Sequence, residues 1–75
     1  MSRPAATPIA NQLRRLRFEH GEMTQEALAQ AAGVTRQTIV AIEGGRYAPS
    51  LELAMRLAGV FALGVDDVFH WRTPP

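Results

Sequence analysis

Arg36 and Gln37 stand next to each other directly after Thr35. A guanidinium offers a rigid fork of donors, and a primary amide offers a donor beside an acceptor. Those patterns match hydrogen-bonding base edges: Arg fits the two acceptors of guanine, and Gln fits the donor and acceptor of adenine. Val40 and Ala41 come next at a spacing that puts them on the same side of a helix, where they can touch a base edge. Arg46 lies further on, past two glycines, as a candidate for a backbone phosphate. Thr24 and Thr35 are helix-start residues, and the Gln25 amide at one of those starts can reach a phosphate oxygen where the helix end itself favours an anion. The plain alternatives are N-terminal solvation for Gln25 and a phosphate rather than a base for Arg36.

Catalytic chemistry finds no foothold. His20 and His70 are far apart, there is no cysteine, Ser2 lies in a tail, and Ser50 reads as a helix cap. The adjacent Asp66 and Asp67 read as the first turn of a helix. No phosphate loop, zinc spacing or nucleophile elbow is present. The expectation is a protein that is not an enzyme and needs no cofactor and no metal.

The elements that must position these side chains run over Thr24–Glu43, T-Q-E-A-L-A-Q-A-A-G-V-T-R-Q-T-I-V-A-I-E. Thr24 is an N-cap, followed by helix formers with an inward face of Leu28, Ala29 and Ala32. Gly33 can take the left-handed conformation that closes a helix, and Val34 would plug the turn into the core. Thr35 is a second N-cap, and Ile39 and Ile42 pin one face of the second helix. Two helices joined by so short a turn cross steeply, which is helix-turn-helix geometry. A helical pair in any small bundle needs the same caps, glycine and apolar stripe.

Thr24–Glu43 with Gly44, Gly45 and Arg46 resembles the helix-turn-helix of the phage lambda repressor and Cro superfamily, the Xre family. The matches are ordered: T-Q-E-A-L-A, then G-V-T-R-Q-T-I, then I-E-G-G-R-Y-A-P-S-L, extending over roughly residues 13 to 70. The ending P-S-L-E-L-A followed by V-D-D-V-F-H-W is similar to small stand-alone regulators of the cytolysin-repressor type. The resemblance implies an all-α, five-helix DNA-binding domain, with or without a short C-terminal strand, and a pairing of Arg17 with Glu43, the acid that ends the recognition helix. The alternative is two unrelated surface charges. Such a pair would be partly buried and would serve orientation more than net stability. The resemblance also lays the loop of Arg46 and Tyr47 along the DNA backbone. Two departures stand out: Ala27 replaces an acid that would complete a capping box with Thr24, and the Gly21-Glu22-Met23 loop is a residue longer than in many relatives.

Seventy-five residues allow one domain with a small core, and 47% hydrophobic residues suffice to fill it. No apolar run approaches a membrane span and no signal peptide is visible, so the expected location is the cytoplasm. The net charge of +1 does not announce nucleic acid, but residues 1–46 carry six Arg against four Glu. All eight cations are Arg, which suits phosphate recognition; a GC-rich genome would give the same bias.

Along the chain, residues 1–7 read as a flexible arm. Thr7 then Pro8 reads as a cap with Pro at the first helical position, predicting a helix from Pro8 to about His20 with Ile9, Leu13 and Leu16 inward and Arg14 and Arg15 solvated. Met23 should point into the core. Gly44-Gly45 stops the third helix, and Ser50 caps a fourth over about Leu51–Ala62 with Leu53, Ala54, Leu57, Ala58 and Phe61 inward. A short fifth helix comes after Gly64, its Val65, Val68 and Phe69 turned to the core or an interface. The domain should end near residue 70, leaving a tail at 71–75. In the cytolysin-repressor type this tail is a strand beside the N-terminal segment; Pro4 and Pro8 argue against that partner strand here.

These readings predict a sequence-specific, double-stranded DNA-binding transcriptional regulator, a repressor. Arg36, Gln37, Val40 and Ala41 would read bases, while Thr24, Gln25, Thr35 and Arg46 hold phosphates. One small module buries limited surface, so a homodimer on a pseudo-palindromic operator is expected, built on the apolar surplus of Leu51, Met55, Phe69 and Trp71. Those four residues could instead close the monomer core. The other function considered is an antitoxin or partner-binding adaptor that uses the same fold and represses its own promoter; a purely structural bundle is a third. No membrane contact and no small-molecule ligand are implied.

Overall fold

The computed structural model describes residues 7–72. The arm up to residue 6, with Ser2 and Pro4, and residues 73–75 of the tail lie outside them. The order is β1 (Ile9–Asn11), α1 (Leu13–Glu19), α2 (Gln25–Ala32), α3 (Arg36–Glu43), α4 (Leu51–Val60), α5 (Val65–Val68) and β2 (Phe69–Trp71). Five helices therefore carry a two-stranded antiparallel ribbon made from the two ends of the described chain.

The start corrects the expected first helix. Thr7 does not cap; its hydroxyl accepts the Ile9 N–H at 3.1 Å, a local bond that competes with helix. Residues 9–11 instead pair with β2, Ile9 opposite Trp71, Ala10 opposite His70 and Asn11 opposite Phe69. The expected objection from Pro8 fails for a physical reason. A proline lacks only its donor, and the ribbon uses its acceptor: the Arg72 N–H reaches the Pro8 carbonyl at 2.7 Å. Helix begins after Gln12, which has no side-chain cap bond.

The middle helices start where hydroxyl caps predict. The hydroxyls of Thr24, Thr35 and Ser50 accept from Ala27, Thr38 and Leu53 N–H at 2.9, 3.4 and 3.2 Å. Gly33 closes α2 at φ 77°, and the Val34 N–H returns to the Ala29 carbonyl at 2.9 Å. A side chain there would be strained by the left-handed backbone, with its Cβ only in contact with the Arg56 guanidinium at 3.4 Å, so the turn favours glycine through its backbone. α4 stops short of the predicted Ala62 because Ala62 itself turns left-handed, φ 58°. Its flanking bonds, Ala62 N–H to Gly59 O at 3.0 Å and Leu63 N–H to Ala58 O at 3.0 Å, form a Schellman closure with alanine at the usual glycine position. The Asp67 carboxylate accepts the Gly64 N–H at 3.0 Å and opens α5.

One core holds the parts together. Leu28, Ala29 and Ala32 of α2 meet Ile39 and Ile42 of α3 and Ala54, Leu57 and Ala58 of α4, all buried, with Leu13 and Leu16 of α1. Met23, Val34, Leu53 and Val65 pack on its edge, and Val68 and Phe69 close it from the C-terminal side. α2 lies against both α3 and α4. Burying this apolar surface is the main term that sets the angle at which α3 leaves the turn.

Candidate nucleic-acid interface

Burial of Ile39 and Ile42 fixes the rotation of α3. The opposite side is therefore forced outward: Arg36 and Gln37 are exposed, Val40 is 38% exposed, and Ala41 is half-buried. Neither Arg36 nor Gln37 has a hydrogen bond or ion pair to another described residue, so both present their full donor sets to solvent. At the helix start the Thr35 and Thr38 hydroxyls lie 3.1 Å apart, one donating to the other.

The first turn of α2 sits alongside. Thr24 is exposed, and its hydroxyl and carbonyl take the Ala27 and Leu28 N–H groups. The N–H groups of Gln25 and Glu26 have no partner among the described residues, as the start of any helix dictates. The Gln25 side chain is engaged: its amide nitrogen donates to Glu43 Oε1 at 3.2 Å. The sequence left that amide free for a phosphate, and the structure gives it a protein partner. Thr24, Gln25 and Arg36 nonetheless line one open groove of about 450 Å³.

The floor of that groove is Arg17 with Glu43. Arg17 Nε donates to Glu43 Oε2 at 2.7 Å and its Nη2 to Oε1 at 3.0 Å, a two-bond fork, while Nη1 donates to the Met23 carbonyl at 2.8 Å. The two side chains are 11% and 10% exposed, a deeper burial than the sequence suggested. The network ties α1, the loop before α2, the first residue of α2 and the last residue of α3 into one unit. Asn11 adds a tie on the other side. Its Nδ2 donates to the Ile42 carbonyl at 3.0 Å and its Oδ1 accepts the Leu13 N–H at 3.1 Å. Sequence reasoning misses this residue because it places Asn11 inside a helix; an Asn two residues before a helical leucine is a cap signal.

Arg46 is exposed after Gly45, with no acid partner among the described residues, and Tyr47 is 41% exposed beside it. The residues expected at a dimer contact divide. Leu51 and Met55 stand one turn apart on α4, 71% and 59% exposed, and Trp71 on β2 is also open. Phe69 is buried in the monomer's own core. Phe18 also escapes the sequence reading; it is largely exposed, with the Arg14 and Arg17 guanidinium carbons each 5.8 Å from its ring centre. Its spacing from Arg14 is the i,i+4 pairing that could have found it. Among the described residues no group of acidic, histidine or cysteine side chains could hold a metal, and no helix is long and apolar enough to cross a membrane.

Two capped helices, a glycine turn and an exposed first turn on the second define a helix-turn-helix protein. Comparison with known proteins agrees: the chain belongs to the helix-turn-helix family, whose profile matches residues 13–68. It is 49% identical over 61 residues to a protein of Methanocaldococcus jannaschii named as an HTH-type transcriptional regulator, covering 81% of this chain and 91% of that one. It is 46% identical over 61 residues to the HTH-type transcriptional regulator YgzD of Bacillus subtilis, with 81% and 91% covered. A similarly named protein of Methanothermobacter thermautotrophicus is 58% identical over 50 residues, 63% of this chain and 70% of the relative.

Proposed function

We propose that the protein is a cytoplasmic transcriptional repressor that binds a pseudo-palindromic operator as a homodimer. The observation that carries the DNA-binding part is the split of α3: one face buried through Ile39 and Ile42, the other offering Arg36 and Gln37 without protein partners at the helix start. A helix entering the major groove by its N-terminal turn presents such groups to base edges. Val40 and Ala41 supply apolar contact one turn on. Thr24, Thr35, the open N–H groups of Gln25 and Glu26, and Arg46 take phosphates and set register. The related regulators support control of transcription, and Leu51 and Met55 on α4, with Trp71, support a second copy as the partner. Half-sites should then lie about 34–36 Å apart.

Selection of bound duplexes from a random pool tests this, followed by binding of variants to the selected site and its single-base changes at several salt concentrations. Arg36→Ala and Gln37→Ala should each cost roughly 1–3 kcal/mol and flatten preference at one base pair. Arg46→Ala should weaken all sequences alike and lower the salt slope by about one. If the two α3 variants leave the ranking of the sequences unchanged, α3 is not the reader.

A further inference from the structure

Arg14 and Arg15 look interchangeable in the sequence, yet the fold separates them. Arg15 is neutralised on its own helix: its Nη1 donates to both Glu19 oxygens at 3.1 and 2.9 Å, and its Nε donates to Gln12 Oε1 at 3.1 Å. Arg14 has no acid partner and no hydrogen bond among the described residues. Its guanidinium carbon lies 5.8 Å from the centre of the Phe18 ring, within cation–π range. Phe18 is an aromatic side chain left 55% exposed on a helix that has a core-facing side available, so burial does not explain its place. Arg14 and Phe18 also form a wall of the groove that holds Thr24, Gln25 and Arg36.

The charge of that groove favours an anion. Arg17 is cancelled by Glu43, leaving the guanidiniums of Arg14 and Arg36 against the single carboxylate of Glu26, which itself accepts from Gln30 at 3.3 Å. A guanidinium held against a ring loses fewer conformations when it meets a phosphate than one moving freely, and a phosphate accepts its fork of donors. We propose that Arg14, held by Phe18, is a further DNA-backbone contact, gripping a phosphate beside the stretch that α3 reads. This extends the contact surface from α2 and α3 onto α1, and it rests on the DNA-binding reading above.

The test is binding of the selected duplex by fluorescence anisotropy across a salt series, comparing Arg14→Ala, Arg14→Gln, Phe18→Leu and Arg15→Ala with the unmodified protein, each checked for folding by circular dichroism. Removing one phosphate contact should lower the salt slope by about 0.9. We expect that drop, with a loss of roughly threefold to tenfold at low salt, for both Arg14 variants, equal for operator and scrambled duplex. Phe18→Leu should weaken binding severalfold while keeping the slope, because the charge remains. Arg15→Ala should match the unmodified protein. Arg14 variants with an unchanged slope, or an Arg15→Ala slope lowered as much as theirs, would overturn the assignment. Should the unmodified protein bind and Gln37→Ala still alter base preference in that event, only the Arg14 contact falls. Failure of the unmodified protein to bind any duplex removes both.

Discussion

Replacing Arg17 and Glu43 by alanine, singly and together, measures how the recognition helix is held. The pair joins by bonds of 2.7 and 3.0 Å, and its side chains are 11% and 10% exposed, so solvent screens it weakly. Taking away one partner strands the other charge in the protein. That costs on the order of 3–5 kcal/mol for complete burial, and about 3 kcal/mol is expected here for each single change. Arg17→Ala should be the worse of the two, because it also leaves the Met23 carbonyl without its 2.8 Å donor. The double change strands no charge. It should cost about 3 kcal/mol in total rather than about 6, giving a coupling of about 3 kcal/mol. A domain of this size has roughly 0.05–0.15 kcal/mol of stability per residue, so the single variants stay folded but near their limit. Urea denaturation of the four proteins at neutral pH supplies the cycle, and the coupling should survive high salt. Additivity to within about 0.5 kcal/mol would refute the reasoning, since it would mean that the two charges do not sense each other.

Three further outcomes are expected. Ala62→Gly should raise stability by about 1 kcal/mol, read from the urea midpoint, because an L side chain is strained in the left-handed backbone at φ 58° that glycine adopts freely. Leu51→Lys combined with Met55→Lys should halve the mass seen by sedimentation at micromolar concentration without lowering the melting temperature, since both side chains are exposed in the monomer. Asn11→Ala should cost about 1 kcal/mol in thermal or urea unfolding by removing the acceptor of the Leu13 N–H and one of two donors to the Ile42 carbonyl, which keeps the Gly45 N–H at 3.0 Å, whereas Asn11→Asp, which keeps the acceptor but sets a carboxylate oxygen against that carbonyl, should cost at least as much.

The legible part of the sequence was the part that local chemistry decides. Thr24, Thr35 and Ser50 cap because a hydroxyl reaches the N–H three residues on whatever the rest of the chain does, and Gly33 turns because only its own backbone must comply. Ile39, Ile42, Leu57 and Ala58 fall inside because helical period and apolarity agree. The failures share the opposite property. Thr7-Pro8 has the form of a helix start, and only Phe69–Trp71, distant in sequence, makes Ile9–Asn11 a strand. Gln25 looked free because the carboxylate that holds its amide arrives from the far end of α3. Phe69 looked available to a partner because nothing local says that the ribbon folds it inward. Arg14 and Arg15 differ in their i,i+4 neighbours, Phe18 and Glu19, which is a local signal; that Arg14 borders the groove of α2 and α3 is not.

The ribbon gives the chain the topology of a closed ring. Its strands pair Ile9 with Trp71, so nearly all of the described residues lie in the loop between them. Closing so long a loop costs roughly 4 kcal/mol of chain entropy, and three residue pairs return little of it on their own. The ribbon therefore depends on the packed helices to bring its strands together. Its opening would not be silent. Asn11 holds the Ile42 carbonyl near the end of α3, and the Gln12 N–H holds the Val68 carbonyl at 2.9 Å. A fraying of the outermost residues is thereby mechanically linked to the seat of the reading helix, and tension on either end of the chain would be transmitted to it.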